Sequence, residues 1–165
     1  MFIPHDSRFV RIAGITSNPL TSWVTQQARN MPMELAAQTN PVKFLIRDRD
    51  AKFTASFDAV FAAEGTRIIK TPIRAPRANA ICERVIGSIR RECLDRMLIL
   101  GRRHLEAVVA EDIEHCNSHR PRRSLSQRSP AALDSLPAPI DDINPARVQR
   151  TDRLGGLVRE YRLVA

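Results

Sequence analysis

Two acidic residues stand in local contexts that suit metal-dependent phosphoryl transfer. Asp48 follows the apolar run 44–46 and Arg47, and Glu83 lies near the start of an Arg-rich helical segment, with 34 residues between the two carboxylates. Mg²⁺ prefers oxygen ligands, so such a pair could hold an ion beside a phosphodiester. Two ions about 3.5–4 Å apart would activate the nucleophile and stabilise the leaving oxygen, and one carboxylate must bridge both. The pair is therefore incomplete, because the sequence offers no third carboxylate in a matching context.

Each carboxylate also has a plainer interpretation. Asp48 is placed where ligand sites of α/β sheets gather, at the carboxyl end of a predicted strand, but it would also serve as a turn residue. Glu83 falls in the first turns of a helix, where the helix dipole favours an acidic side chain in any case. Asp50, two residues after Asp48, is a further candidate metal ligand. The pair of contexts, more than either residue alone, indicates a site.

The basic residues point to a polyanionic partner. The formal net charge is +8, and residues 67–128 hold 14 Arg and Lys against 7 Asp and Glu. Only three of the 26 basic residues are Lys, and Arg suits bidentate contact with phosphate. A solvated basic face is the alternative. The residues predicted to contact DNA are Arg77, Arg84, Arg90, Arg91, Arg120, Arg122 and Arg123.

The predicted helix around Glu83 supports the DNA side of this interpretation. Positions 87, 90 and 91 share a face with Glu83, which places Arg90 and Arg91 beside the carboxylate. Gly87 on the same face would leave room either for close approach of a ligand or for tight helix packing. An Arg face near a metal site would clamp a phosphate backbone.

Composition excludes several other classes of protein. The chain has 165 residues, 43% apolar and 27% charged, enough for one sizeable core. It contains no apolar stretch of the ~20 residues needed to span a membrane and no secretory signal at its start. Three cysteines, an odd number, argue against a disulfide framework and for a cytoplasmic protein with reduced thiols. Cys82 and Cys93 are interpreted as core residues.

Periodicity and turn residues predict alternating strands and helices. The order of elements, with mostly short connections, predicts the α/β class. Pro32 is expected to end the first helix. The predicted elements are a strand over 8–16, a helix over 22–37, strands over 42–46 and 67–70 with a helix between them, helices over 78–100 and 104–118, a Pro-rich irregular stretch over 129–146, and a short strand near the C-terminus.

Three motifs in the chain resemble those of insertion-sequence transposases with an integrase catalytic core. The run 44–54 resembles the segment around the second catalytic Asp of that family, with Asp48 in register. Residues 76–83 resemble its Asn-Ala-x-x-Glu signature, in which Glu83 matches the catalytic Glu. Residues 116–125 resemble its Tyr-Asn-x-x-Arg-Pro-His-x-x-Leu segment, and Ser129-Pro130 its trailing Thr-Pro.

Some positions depart from the pattern of that family. Asp50 stands where many relatives have Gly, Cys116 replaces Tyr, and Arg122 replaces His. The first catalytic Asp of the family lies on a strand upstream of the segment that matches residues 8–16. The resemblance therefore implies a three-layer, RNase H-like α/β core that lacks its first strand and most of its second, and hence one of its three catalytic carboxylates.

The resemblance implies DNA strand cleavage and transfer with Mg²⁺ or Mn²⁺ held by Asp48 and Glu83. It also implies duplex DNA as partner and a homo-oligomer on that DNA. Residues 1–133 are expected to form the truncated core and 134–165 a Pro-rich tail. We expect a chain that binds DNA without catalysing. Two alternatives are an active nuclease that uses Asp48, Asp50 and Glu83, and a non-catalytic regulatory fragment.

Overall fold

The computed structural model describes residues 1–35, 41–133 and 147–164, except for the side chains of 32–35, 76 and 77. None of the helices in these ranges is both long and apolar enough to cross a membrane. The helices and strands are α1 (Thr21–Leu35), β1 (Phe44–Arg47), α2 (Ala55–Ala63), β2 (Arg67–Lys70), α3 (Ala80–Ser88), a π-helix (Ile89–Cys93), α4 (Arg102–Ser118), β3 (Val148–Arg153) and β4 (Val158–Leu163).

The chain forms two compact units, each with its own core. Unit 1 comprises residues 1–2 and 12–84, and unit 2 comprises residues 3–11 and 85–165. Helices and small sheets occur in the described ranges, which agrees with the predicted α/β class.

In unit 1, α1 and α2 pack together over a short parallel sheet. β1 and β2 pair in register from Phe44 with Arg67 to Arg47 with Lys70. Parallel strands need a crossover connection, and α2 supplies it. The helices enclose five buried residues, Val24, Ala28, Met31, Phe57 and Phe61. The sheet thus brings the carboxyl end of β1, where Asp48 follows, to the same edge as the end of β2.

Arg47 is a buried charged residue at the end of β1, and its guanidinium is fully engaged. Its Nε and Nη2 atoms donate to the two oxygens of Asp58, at 2.7 Å each. Its Nη1 atom donates to the backbone oxygen of Asp48 at 2.8 Å. Arg47 is 7% exposed, so this ion pair replaces the water that the charge would otherwise need. The pair joins β1 to the first turn of α2.

In unit 2, a β-hairpin docks on α4. β3 and β4 pair antiparallel from Val148 with Leu163 to Arg153 with Val158. Leu154, between the strands, is buried with Cys93 and Val108. The buried carboxylate of Glu160 on β4 accepts hydrogen bonds from Arg153 Nε at 3.1 Å and is 3.0 Å from His115 Nδ1 of α4. Polar contacts and apolar burial therefore both hold the hairpin.

The strand predicted over residues 8–16 is wrong. No strand runs there, and Arg8 adopts a left-handed backbone conformation with φ of 59°. Val10 is instead held by the side chain of Asn117, which accepts from Val10 N at 2.8 Å and donates to Val10 O at 2.9 Å. The amide group of Asn117 presents the donor and acceptor that a neighbouring strand would present.

The long helix predicted over 78–100 is also wrong in detail. A 3₁₀ turn (Pro76–Asn79) leads into α3, and the π-helix and another 3₁₀ turn (Leu94–Arg96) follow. The buried positions are Val85, Ile89 and Cys93, whereas Ile86 is 55% exposed. These buried residues are spaced by four, and the wider π turn keeps such spacing on one side of the helix.

The other predicted elements agree more closely with the structure. β2 covers the predicted 67–70, and α4 begins two residues before the predicted 104–118 and ends with it. α1 continues through Pro32 to Leu35, so the predicted break is wrong. The predicted C-terminal strand is one half of the β3–β4 hairpin. Most of the Pro-rich stretch, residues 134–146, lies outside the described residues.

Replacing Asp58 with Ala should destabilise the protein by about 2–3 kcal/mol, because it leaves the buried Arg47 charge without its partner. Urea unfolding monitored by circular dichroism would measure the loss. The matched control is Asp95→Ala, which removes an exposed carboxylate 3.6 Å from Arg90. This control should cost less than about 1 kcal/mol. Equal effects of the two changes would contradict the role assigned to the Arg47 pair.

Candidate functional site

Asp48 lies exposed immediately after β1, and hydrogen bonds hold its backbone and side chain. Its Oδ1 atom accepts from the backbone nitrogen of Asp50 at 3.0 Å, and its carbonyl oxygen accepts from Arg47. These contacts leave the carboxylate at the carboxyl edge of the sheet. The position agrees with the interpretation of Asp48 as a site residue, since ligands of α/β sheets gather at that edge.

The side chain of Asp50 is engaged by its own neighbour. Lys52 donates to the carboxylate twice, from its backbone nitrogen at 2.9 Å and from Nζ at 3.0 Å. These hydrogen bonds, with the charge of Lys52, lower the pKa of Asp50. The geometry is that of an Asx turn closed by a surface ion pair. A metal ion at Asp50 would have to compete with Lys52, which disfavours Asp50 as a ligand.

The thiol of Cys82 links the two predicted carboxylates electrostatically. Cys82 is half-buried, whereas Glu83, the next residue on α3, is exposed. Burial raises the pKa of Cys82, and the negative charges of Asp48 and Glu83 raise it further. A charge affects a titrating group only within a limited distance, so both carboxylates lie within electrostatic reach of the same thiol. Within unit 1, Asp48 and Glu83 therefore both contribute negative charge at the Cys82 thiol.

The side chains present fit a two-ion centre poorly. Carboxylate oxygens suit Mg²⁺ or Mn²⁺. However, no three His, Cys, Asp or Glu side chains in the described parts of the chain converge on a point where they could hold a metal ion. Asp48 and Glu83 without a bridging carboxylate do not fit the paired ions of phosphoryl transfer. Cys82, which precedes Glu83 in the sequence, offers sulfur, which these hard ions disfavour.

The predicted DNA-contacting arginines differ in how free their charges are. In unit 1, Arg84 is exposed, and the side chain of Arg77 lies outside the described residues. In unit 2, Arg90 is exposed and has Asp95 at 3.6 Å. Arg123 is also exposed. Exposed guanidiniums of this kind remain available to a phosphate backbone.

Gly87 has a local explanation. A Cβ atom added at Gly87 would lie 2.8 Å from Nη1 of Arg91, so the Arg91 side chain folds back over the glycine. The free space therefore serves Arg91, which is itself exposed, and neither a neighbouring helix nor an open groove is needed to explain the residue. The observed contact is thus with a side chain of the same helical segment, and it matches neither the close approach nor the tight helix packing expected from the sequence.

Arg120 is not free, because Glu92 holds it in a bidentate ion pair. The guanidinium donates to the two carboxylate oxygens of Glu92 at 2.6 and 3.0 Å. The hydrogen bonds from Arg120 lower the pKa of Glu92, and the same pair raises the pKa of Arg120. Arg120 thus stabilises the loop after α4 more than it offers charge to a ligand. Arg122, two residues later, is half-buried.

Three residues with roles in these neighbourhoods were not assigned those roles from the sequence. The first is Arg47. An Arg at the end of a strand with an Asp in the following helix is a pattern that can indicate such an ion pair. Cys82 is predicted to be a core residue, but it is half-buried, and the charges of Asp48 and Glu83 act on its thiol. Arg8 is predicted to lie in a strand, and nothing in the sequence around it indicates that part of its side chain is buried.

Comparison with known proteins finds a match over part of the chain. Residues 64–130, about two fifths of the chain, match the family model described as the integrase core domain. No curated protein and no solved structure matches the chain. The match confirms the resemblance read from the motifs around Glu83 and Cys116, and it supports a function in DNA integration or transposition. The integrase core domain also implies an RNase H-like fold.

Glu83→Gln should increase the rate at which iodoacetamide alkylates Cys82, because removing a nearby negative charge lowers the pKa of the thiol and raises the thiolate fraction. Peptide mass spectrometry at pH 8 would follow Cys82 separately from Cys93 and Cys116. Asp48→Asn should act in the same direction. The control Glu64→Gln, at the exposed end of α2, should leave the rate unchanged. Unchanged alkylation rates in both variants would contradict the electrostatic influence of the two carboxylates on Cys82.

Proposed function

Because residues 64–130 match an integrase core domain, we propose that the chain binds duplex DNA as part of a transposase-type catalytic core. Asp48 and Glu83 are then two of its carboxylates, with oxygen ligands of the type that Mg²⁺ and Mn²⁺ prefer but without the bridging carboxylate that a pair of ions needs. The observation that carries the proposal is this family match, and Asp48 follows β1 at the carboxyl edge of the sheet, where ligands gather. Glu83 lies within the matched residues, and Asp48 lies upstream of them.

The DNA contacts are proposed for exposed arginines of each unit. Arg84, Arg90, Arg91 and Arg123 are exposed, and Arg is suited to bidentate contact with phosphate. Arg77 belongs to the proposal through the sequence alone. Arg120 contributes indirectly, since its ion pair with Glu92 fixes the start of the loop that carries Arg122 and Arg123. Several copies assembling on one DNA are part of this proposal.

We further propose that this chain does not transfer DNA strands by itself. Strand transfer with two ions needs a carboxylate that bridges them, and no group of three potential metal ligands occurs in the part of the chain that the structure describes. The residues of the chain would still bind and orient the DNA backbone. A regulatory role, in which the chain occupies DNA without cutting it, is compatible with the same contacts.

The nuclease alternative, with Asp50 as the third carboxylate, has less support. Lys52 holds Asp50 through a hydrogen bond from its backbone and an ion pair from its side chain. Metal binding at Asp50 would have to displace the ammonium group. The same Lys52 charge beside Asp48 would also weaken the attraction of the site for a cation.

Arg84→Glu combined with Arg91→Glu should weaken duplex binding by at least tenfold, because it replaces two phosphate contacts with repulsion. Fluorescence anisotropy with a labelled duplex at several salt concentrations would measure both the affinity and its salt slope. The charge-matched control is Arg29→Glu with Arg159→Glu, two exposed arginines outside the proposed contacts. Salt-independent binding by the unaltered chain, or equal losses in both double variants, would overturn the proposal.

The chain incubated with a labelled duplex and Mg²⁺ or Mn²⁺ should produce no more nicks than its Asp48→Asn variant, since two carboxylates without a bridge do not hold two ions. Denaturing gel electrophoresis would detect the nicks. Asp50→Asn separates the alternatives. Nicking by the unaltered chain that is lost in Asp48→Asn, Asp50→Asn and Glu83→Gln would contradict the proposed lack of activity and support the nuclease alternative.

A further inference from the structure

Two guanidinium groups in unit 2 carry buried N–H donors that have no acceptor. They are Nη1 of Arg8 and Nε of Arg122, and they are the two such side-chain atoms in the part of the chain that the structure describes. Buried polar groups in proteins are nearly always hydrogen-bonded, and a charged donor without a partner is costly. Two orphaned donors on two arginines therefore call for an explanation.

The two arginines lie within electrostatic reach of one another. Burial lowers the pKa of Arg122, and the positive charges of Arg120 and Arg8 lower it further, against the opposing influence of Cys116 and Glu92. Like charges held together in a half-buried place are unfavourable unless an anion offsets them. The neighbourhood is thus short of negative charge.

The acids nearby do not supply that charge. Glu92 is occupied by Arg120 through two hydrogen bonds. Burial raises the pKa of Asp112, which weakens its ability to act as an anion, and its Oδ2 atom lies 3.9 Å from the thiol of Cys116. Arg8 and Arg122 are consequently left with charge and donors that no carboxylate in the described ranges takes up.

The backbones that carry both arginines are held in place. Val10, two residues after Arg8, is fixed to α4 by its two hydrogen bonds with Asn117. Arg122 donates from its backbone nitrogen to the oxygen of Arg128 at 3.0 Å, which closes a loop around the buried Leu125. Arg8 itself adopts a left-handed conformation, of the kind that persists where the surroundings impose it and that clusters at binding sites.

We propose that Arg8 and Arg122 together form a binding site for one phosphate group. Two guanidiniums offer several donors in planar forks, which suit the tetrahedral oxygens of phosphate. The bound anion would offset the repulsion between the arginines and draw the orphaned N–H groups into hydrogen bonds. The further statement that this group is a phosphodiester of duplex DNA rests on the DNA-binding function proposed above.

The first arm of the test uses inorganic phosphate. A ligand that binds only the folded state raises the melting temperature, so the unaltered protein should melt higher in sodium phosphate than in sodium chloride at equal ionic strength and pH. Arg8→Gln and Arg122→Gln should each lose this increment. In chloride, Arg122→Gln should melt no lower than the unaltered protein, because it removes a charge that lacks a partner. Arg159→Gln, an exposed arginine of β4, should keep the full increment.

Arg122→Lys serves as a second variant in case a glutamine variant does not fold. It retains the positive charge but lacks the Nε donor, so it should lose most of the increase in melting temperature. A phosphate-dependent increase in melting temperature that persists in both glutamine variants would overturn the proposed site. The site would also be overturned if the unaltered protein showed no increase and the variants bound DNA unchanged.

The second arm uses duplex DNA and separates the two proposals. Losing one phosphate contact should reduce the slope of log affinity against log salt by about one in the Arg8→Gln, Arg122→Gln double variant, relative to Arg159→Gln. A phosphate increment without DNA binding would keep the site, identify free phosphate as its ligand and remove the proposed function. DNA binding that depends on Arg84 and Arg91, with no effect of Arg8 or Arg122 in either arm, would keep the proposed function and overturn the site.

Discussion

The neutralised guanidinium of Arg47 is the constraint on which the rest of unit 1 depends. A buried charge is tolerable only when it is paired and its hydrogen bonds are made, and Asp58 together with the Asp48 carbonyl oxygen meets both conditions. The ring of Phe53, with its centroid 5.7 Å from the guanidinium carbon, packs beside it. These contacts fix the end of β1 relative to α2, and so determine where the Asp48 carboxylate stands. The chemistry proposed for Asp48 is in this sense built on an ion pair that itself contacts no ligand.

The parts of the fold that the sequence predicts well are those set by local patterning. β1, α2, β2 and α4 have short apolar runs or helical spacing bounded by turn residues, and their observed limits lie within a few residues of the predicted ones. The errors arise where distant residues intervene. The segment around Val10 has the alternation of a strand, but an amide side chain on α4 takes the place of its neighbour. The sequence of β3, which is mostly polar, carries no strand pattern of its own.

In the candidate site, too, some features can be predicted from local sequence and others depend on distant residues. The motifs identify Asp48 and Glu83 without any knowledge of their positions, and the structure places both within reach of one thiol. Which arginines are free could not be read from the sequence, because their partners are remote. Arg120 and Glu92 are separated by 28 residues along the chain, and their ion pair removes one of the predicted DNA contacts from direct use. Arg8 lies far from the basic region in sequence, and only burial reveals its lack of a partner.

The pairing of Val10 with Asn117 has a consequence for the order in which the chain folds. The two residues are 107 positions apart, so Val10 cannot form this pairing until α4 has been synthesised. Closing a loop of that length costs more entropy than forming the local contacts of α1 with α2, although the cost grows only slowly with length. The helical core of unit 1 can therefore form before α4 has been synthesised, whereas the Val10 pairing of unit 2 cannot. A pause or premature stop before α4 would leave the N-terminal segment exposed to proteases and chaperones.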